Sequence, residues 1–313
     1  MAVSVTYPAP LRPGRTVAFV SPASAVKAEF VEGAKMRLEK RGFKVKVMPH
    51  AVGDPCGSYS ASEEERLRDL TEAWRDPEVG AVICTRGGYG CVHLLDSLGD
   101  DMLRSRPKWL VGFSDVSALH ARLLAAGVAS VHGSMARYIA DPEGGEEVLD
   151  ALLGILCADR PEMDYRFPAS PLNGKTGVAR GQLRGGNLAV LSHLIGTPHD
   201  IFAGEGHILF IEDVSEAIYA TERMLWQLCL TGALDRAKGL IVGRFTDTRA
   251  DRNFPDTATM IHHRLKEWGV LDRIPVAFGA PVGHIPANVP LVQGAQVELA
   301  VGDNDITLRT TDL

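Results

Sequence analysis

The sequence predicts an α/β chain: an N-terminal parallel-sheet domain of Rossmann-like or flavodoxin-like type, followed by a C-terminal mixed, β-rich α/β domain. Three observations predict it. Over roughly the first 140 residues, short apolar runs alternate with helix-like stretches, the βαβα rhythm of a parallel sheet covered on both faces. Three of those runs end in polar or glycine-rich loops, at 21–24, 86–90 and 112–115. Beyond that point the rhythm weakens and strand signals become denser.

The elements follow in order. Residues 16–20 (TVAFV) form a short apolar strand that ends at Ser21-Pro22-Ala23-Ser24. A helical stretch runs to about Lys40 and stops at Gly42. Residues 43–47 alternate with period two, as a half-buried strand does. Ser62 and Glu65 make a capping box that opens a helix through Trp74, closed before Pro77. Residues 79–85 are the next strand, and Arg86-Gly87-Gly88-Tyr89-Gly90 turns the chain into another helix. Residues 108–113 (KWLVGF) are a further strand, with a helix over 115–126 that ends at Gly127. After the loop 141–145, a helical stretch reaches about Ala158. Residues 159–178 are rich in Pro, Gly and polar residues and read as a linker. Strand signals follow at 207–211, 239–243, 276–279 and 297–301, with helices over 217–230 and 257–268. The expected organisation is therefore an N-terminal domain over 1–158, a linker over 159–178, and a C-terminal domain over 179–313.

Composition narrows the function. The 313 residues are 45% hydrophobic and 23% charged, as in an ordinary globular protein. A net charge of −6 without any Lys/Arg run argues against nucleic acid. No apolar run approaches the ~20 residues that span a bilayer, and the N-terminus lacks the basic-then-apolar pattern of a signal peptide. Five cysteines, without a CxxC pair, read as reduced thiols in a cytoplasmic setting. No H-E-x-x-H or similar ligand cluster occurs, so neither metal nor cofactor is expected. A nucleotide-binding α/β protein is disfavoured, because no G-x-G-x-x-G follows the first strand and no P-loop motif occurs.

In open α/β sheets, ligands bind beyond the carboxyl ends of the strands. Gly112-Phe113-Ser114-Asp115 lies there, on a strand-to-helix turn that would expose the serine hydroxyl beside free backbone N–H groups. Ser117 replaces the last glycine of a full G-x-S-x-G elbow, and local pattern alone favours a helix N-cap at Ser114. The Gly87-Gly88 pair could bring a backbone donor close to a developing oxyanion, or could be an ordinary βα turn. Of ten histidines, His120 reads as structural, His262 and His263 as mid-helix residues, and His132 as a moderate candidate base. His284 stands in a Gly- and Pro-framed loop after a strand, the kind of loop that positions functional groups. Glu212 and Asp213 directly follow an apolar strand, and either could orient a histidine or simply begin the next loop.

Together with Gly185-Gly186-Asn187-Leu188, Glu212-Asp213-Val214 and Gly283-His284-Ile285-Pro286-Ala287-Asn288, these loops resemble the LD-carboxypeptidase family of serine peptidases, in the family's order and across nearly the whole chain. The resemblance implies a triad of Ser114, Glu212 and His284, and oxyanion donors at the backbone N–H groups of Gly88 and Asp115. It also implies a small peptide substrate, the murein tetrapeptide, from which terminal D-alanine is released during peptidoglycan recycling, by a cytoplasmic homodimer. Ser21, Ser24, Arg86 and Arg184 are candidates for binding the substrate and its terminal carboxylate. Two other outcomes stay open: a microcin C-type self-immunity hydrolase of peptidyl-adenylates, and a non-catalytic sensor of cell-wall peptides.

Overall fold

The computed structural model describes residues 4–53 and 56–311, which fall into two compact units. The first takes in 4–161 together with a later return, 286–292; the second takes in 162–285 and 293 onward. Two features depart from the expected boundaries. The stretch read as a linker carries a strand, and the segment just after His284 leaves the second unit to join the first.

In the first unit, β1 (Thr16–Val20), β2 (Lys44–Val47), β3 (Val79–Cys84), β4 (Trp109–Gly112) and β5 (Ser130–His132) arise in chain order. All four pairings among them are parallel, in the order β2-β1-β3-β4-β5. That is the flavodoxin-like order, whose switch point lies between β1 and β3. The central strands are buried apart from Gly80, with Phe19, Ile83 and Trp109 fully inside. β2 is the exposed edge, and its alternating lysines discourage further strand pairing. The helix Glu63–Arg75 forms as its capping box dictates: Ser62 Oγ accepts from Glu65 N–H at 3.3 Å, and the Glu65 carboxylate accepts from Ser62 N–H at 3.0 Å. After Gly90 the chain makes a 3₁₀ turn, Cys91–Ser97, where the sequence suggests a helix.

The second unit contains β6 (Asp164–Pro168), β7 (Gly177–Asn187), β8 (His207–Val214), β9 (Ala237–Thr246) and β10 (Val276–Phe278). The chain then contributes β11 (Leu291–Gln293) to the far edge of the first sheet, beside β5, before β12 (Gln296–Val301) and β13 (Asp305–Thr310). The second sheet is mixed, in the order β10-β9-β8-β7-β12-β13-β6. Its β10, β9, β8 and β7 run parallel, whereas β7 to β12, β12 to β13 and β13 to β6 are antiparallel. β8 lies in the parallel half and is buried along nearly its whole length. Among the described residues, no helix is long and apolar enough to cross a membrane.

Candidate functional site

Ser114 begins the 3₁₀ turn Ser114–Val116, which runs from the end of β4 into the helix Ser117–Ala125. Its φ is +64°, a left-handed conformation that is costly for a residue with a side chain. A helix N-cap sits in extended backbone and lends its oxygen to the first turn; Ser114 does neither. The strain instead presents the hydroxyl at the tip of the turn, as in a nucleophile elbow. Two neighbours tighten this turn. A Cβ on Gly112 would stand 2.8 Å from Val116, and a Cβ on Gly87 would stand 2.7 Å from Ser114 Cβ and 2.9 Å from its Oγ. Glycine at 87 therefore lets the loop after β3 lie directly against the serine.

That loop is fastened on several sides. Ser24 N–H donates to the Gly87 carbonyl at 3.2 Å, and Tyr89 N–H donates to Ser24 Oγ at 3.3 Å. The Asp115 carboxylate accepts from Cys91 N–H at 2.8 Å, and burial pushes its pKa up. The N–H groups of Gly88 and Asp115 have no acceptor among the described residues. His120, wholly buried, bridges the Gly112 carbonyl and Ser130 Oγ at 2.8 Å each and so pins the end of β4 from behind. His132 is fully buried on β5 against Phe113, a packed position and not that of an exposed base.

In the second unit, the candidate base and its orienter meet. Glu212, fully buried on β8, places Oε2 2.8 Å from His284 Nδ1. The contact depends on Gly283, at φ +125°, where a Cβ would lie 3.0 Å from Glu212 Oε2 and 3.0 Å from the Arg244 carbonyl. The loop is held by Arg244 N–H donating to the Val282 carbonyl at 2.8 Å. A carboxylate can only accept, so the Nδ1 position carries the proton and Nε2 is left as the basic nitrogen.

Of the two acids, Glu212 rather than Asp213 takes the histidine. Asp213 accepts from Asn187 Nδ2 at 2.7 Å, Ala189 N–H at 2.8 Å and Val214 N–H at 2.9 Å. Burial raises its pKa to about 6 despite those donors, with a further push from Glu212. Asn187 in turn caps the helix Leu188–Ser192 by accepting from Val190 N–H at 3.1 Å. The Gly-Gly-Asn-Leu motif thus supports the Glu212 strand from behind. An Asn before an apolar helical run is the sequence signal for that cap.

The four binding candidates divide. Arg86 is exposed, and its Nη1 donates to the Ala25 carbonyl at 2.9 Å. Ser24 is half-buried and positions the glycine loop. Ser21 is buried, donating to the Ala51 carbonyl at 2.7 Å and bonding Thr85. Arg184 is also buried: its guanidinium serves Gln182 Oε1 and the carbonyls of Ile201 and Ala203. Those bonds give Ser21 and Arg184 structural work inside the fold.

Both units resemble known proteins. Residues 17–133 match the LD-carboxypeptidase N-terminal domain, and residues 180–299 match the LD-carboxypeptidase C-terminal domain. The murein tetrapeptide carboxypeptidase of Pseudomonas aeruginosa is 32% identical over 87% of this chain and 89% of its own. The crystal structure of muramoyltetrapeptide carboxypeptidase from Oxalobacter formigenes superposes with a TM-score of 0.84 at 30% identity, over 95% of this chain and 99% of its own. The microcin C7 self-immunity protein MccF shares the fold, with a TM-score of 0.84 at 23% identity over 98% of this chain and 99% of its own. The chain belongs to the LD-carboxypeptidase family, a family of peptidases.

Proposed function

We propose that this protein is a serine LD-carboxypeptidase that releases terminal D-alanine from murein tetrapeptides, with Ser114, His284 and Glu212 as its triad. The observation that carries the chemistry is the hydrogen bond between the buried Glu212 carboxylate and His284 Nδ1 at 2.8 Å, which makes Nε2 the basic nitrogen. Ser114 is the matching nucleophile, because its left-handed turn exposes the hydroxyl beside amide N–H groups. The substrate follows from the likeness to the murein tetrapeptide carboxypeptidase, at 32% identity against 23% for the self-immunity protein.

The reaction then proceeds in two halves. Ser114 Oγ attacks the carbonyl of the L-centre while His284 Nε2 takes its proton. Glu212 stabilises the imidazolium, and the amide N–H groups of Gly88 and Asp115 receive the oxyanion. The C–N bond breaks as His284 passes its proton to the departing D-alanine amine. Water, activated by the same histidine, hydrolyses the acyl-enzyme and restores Ser114. Arg86, exposed beside the glycine loop, is our candidate for the substrate's terminal carboxylate, since a guanidinium matches a carboxylate in two parallel hydrogen bonds. Five free cysteines suit a reducing cytoplasm, where we place the protein as a homodimer.

Digesting a purified murein tetrapeptide and weighing the products tests this reading. It predicts tripeptide plus free D-alanine. An intact tetrapeptide alongside a cleaved peptidyl-adenylate would assign the protein to self-immunity instead. Binding without any cleavage would make it a sensor.

A further inference from the structure

Arg66 lies in the first turn of the helix Glu63–Arg75 and is 2% exposed. Among the described residues, no carboxylate forms an ion pair with it. Burying a guanidinium in that way is costly unless its donors are well used. Here they gather carbonyls from three loops. Nε donates to Ala61 at 3.2 Å, and Nη1 donates to Gly90 at 3.0 Å and also to Pro22. Nη2 lies 3.2 Å from His93 Nδ1, and the guanidinium stacks 5.1 Å from the centre of the Tyr59 ring.

The bond to Gly90 has a counterpart. The Gly90–Cys91 peptide is held at both ends: its carbonyl by Arg66 and its N–H by the Asp115 carboxylate. Asp115 follows Ser114 directly, so the clamp couples the loop after β3 to the nucleophile turn. The bond to Pro22 steadies the loop whose Ser24 hydroxyl accepts from Tyr89 N–H. Gly88, between Gly87 and Tyr89, is thus fixed from both flanks, with the arginine at the root of each.

We propose that Arg66 is a positioning residue for catalysis, setting the oxyanion-binding N–H of Gly88 against Ser114 through the Gly90–Cys91 peptide and the 21–24 loop. It acts through the loops and does not touch substrate. Lysine can replace it only in part, since a single ammonium cannot span all the carbonyls that a planar fork reaches. The role rests on the peptidase reading above, in which the Gly88 N–H receives the oxyanion.

The test compares wild-type protein with R66M, R66K and R122M by tetrapeptide kinetics, thermal melting and affinity for a peptide aldehyde. The aldehyde replaces the scissile carbonyl and forms a tetrahedral adduct with the serine. R66M should lose kcat by about 100-fold with KM within about twofold, and aldehyde affinity should fall in step with kcat. R66K should show the same pattern at a smaller amplitude. Arg122 is another buried arginine of the same unit, paired with Asp100, and R122M should lower the melting temperature while leaving kcat unchanged. Should R66M fail to fold, R66K is read by the same two quantities. A folded Arg66 variant with wild-type kcat and aldehyde affinity would overturn the proposal, as would a loss confined to KM. If wild-type protein releases no D-alanine, the peptidase reading fails and this role fails with it.

Discussion

At the scale of single residues, the proposed triad gives Ser114, Glu212 and His284 distinct burdens, and substitution should separate them. Ser114→Ala and His284→Ala should each reduce D-alanine release by a factor on the order of 10⁶, measured as kcat on the tetrapeptide. Glu212→Gln should be milder, about 10³–10⁴-fold, because the imidazole keeps its place while its tautomer and the charge opposite the imidazolium are lost. Equal losses at all three positions would mean that Glu212 does more than orient. A fourth substitution tests geometry alone. Gly87→Ala adds a methyl 2.7 Å from Ser114 Cβ, so it should cost kcat. Wild-type turnover in G87A would place the nucleophile elsewhere. Some of this was legible in the sequence and some was not. Ser114 read locally as a helix cap, since serine at a helix start usually is one; only the backbone angle of +64° shows the strained turn. Conversely, nothing in the two letters Glu-Asp distinguishes the orienting acid from its neighbour. That choice is made by the alternation of β8, which turns one side chain to His284 and the other to Asn187.

At the scale of elements, the legible parts were those whose residues satisfy a local rule. The capping box of Glu63–Arg75 is such a case, and Ser62→Ala should cost about 1 kcal/mol in denaturant unfolding with no effect on turnover. β7 is not legible in its run GVARGQLRGGN, which lacks sustained apolar alternation and has Val178 as its one β-branched residue. It is a strand because β8 and β12 pair with it on either side. β6 (DYRFP) is short, ends in Pro168 and lies in an apparent linker; its pairing with β13 is antiparallel, with Arg309 bound to Asp164 across it. The elements also set a pH dependence. Burial holds His120 and His207 neutral, with pKa values lowered to about 4 from 6.5. Between those values the unfolded chain binds more protons than the native one, so stability is complete above pH 6.5 and falls as the pH drops toward 4. His120 alone contributes up to about 3 kcal/mol to that fall. Asp213 works in the opposite sense: its raised pKa of about 6 means that stability is gained as the pH falls from 6 toward 3.8. Urea titrations from pH 7 to pH 4 should show a net decline, and His120→Gln should flatten it. A stability that rises toward pH 4 would contradict the neutral, buried state of these histidines.

At the scale of the whole molecule, the unit with the five parallel strands β1 to β5 carries the turn of Ser114, and the unit with the mixed sheet carries Glu212 on β8 and His284 in the loop after β10. The return of 286–292 to the first unit was not legible, because Leu291–Gln293 is too short to announce a strand and becomes one by docking beside β5. The chain should sediment as a homodimer at micromolar concentration; a single monomeric species there would remove that part of the account. Whether Ser114 is the nucleophile of a D-alanine-releasing peptidase is decided by mass spectrometry of a tetrapeptide digest. The account predicts tripeptide and one equivalent of D-alanine with wild-type protein and none with S114A. An intact tetrapeptide under wild-type protein, or equal release by S114A, would contradict it.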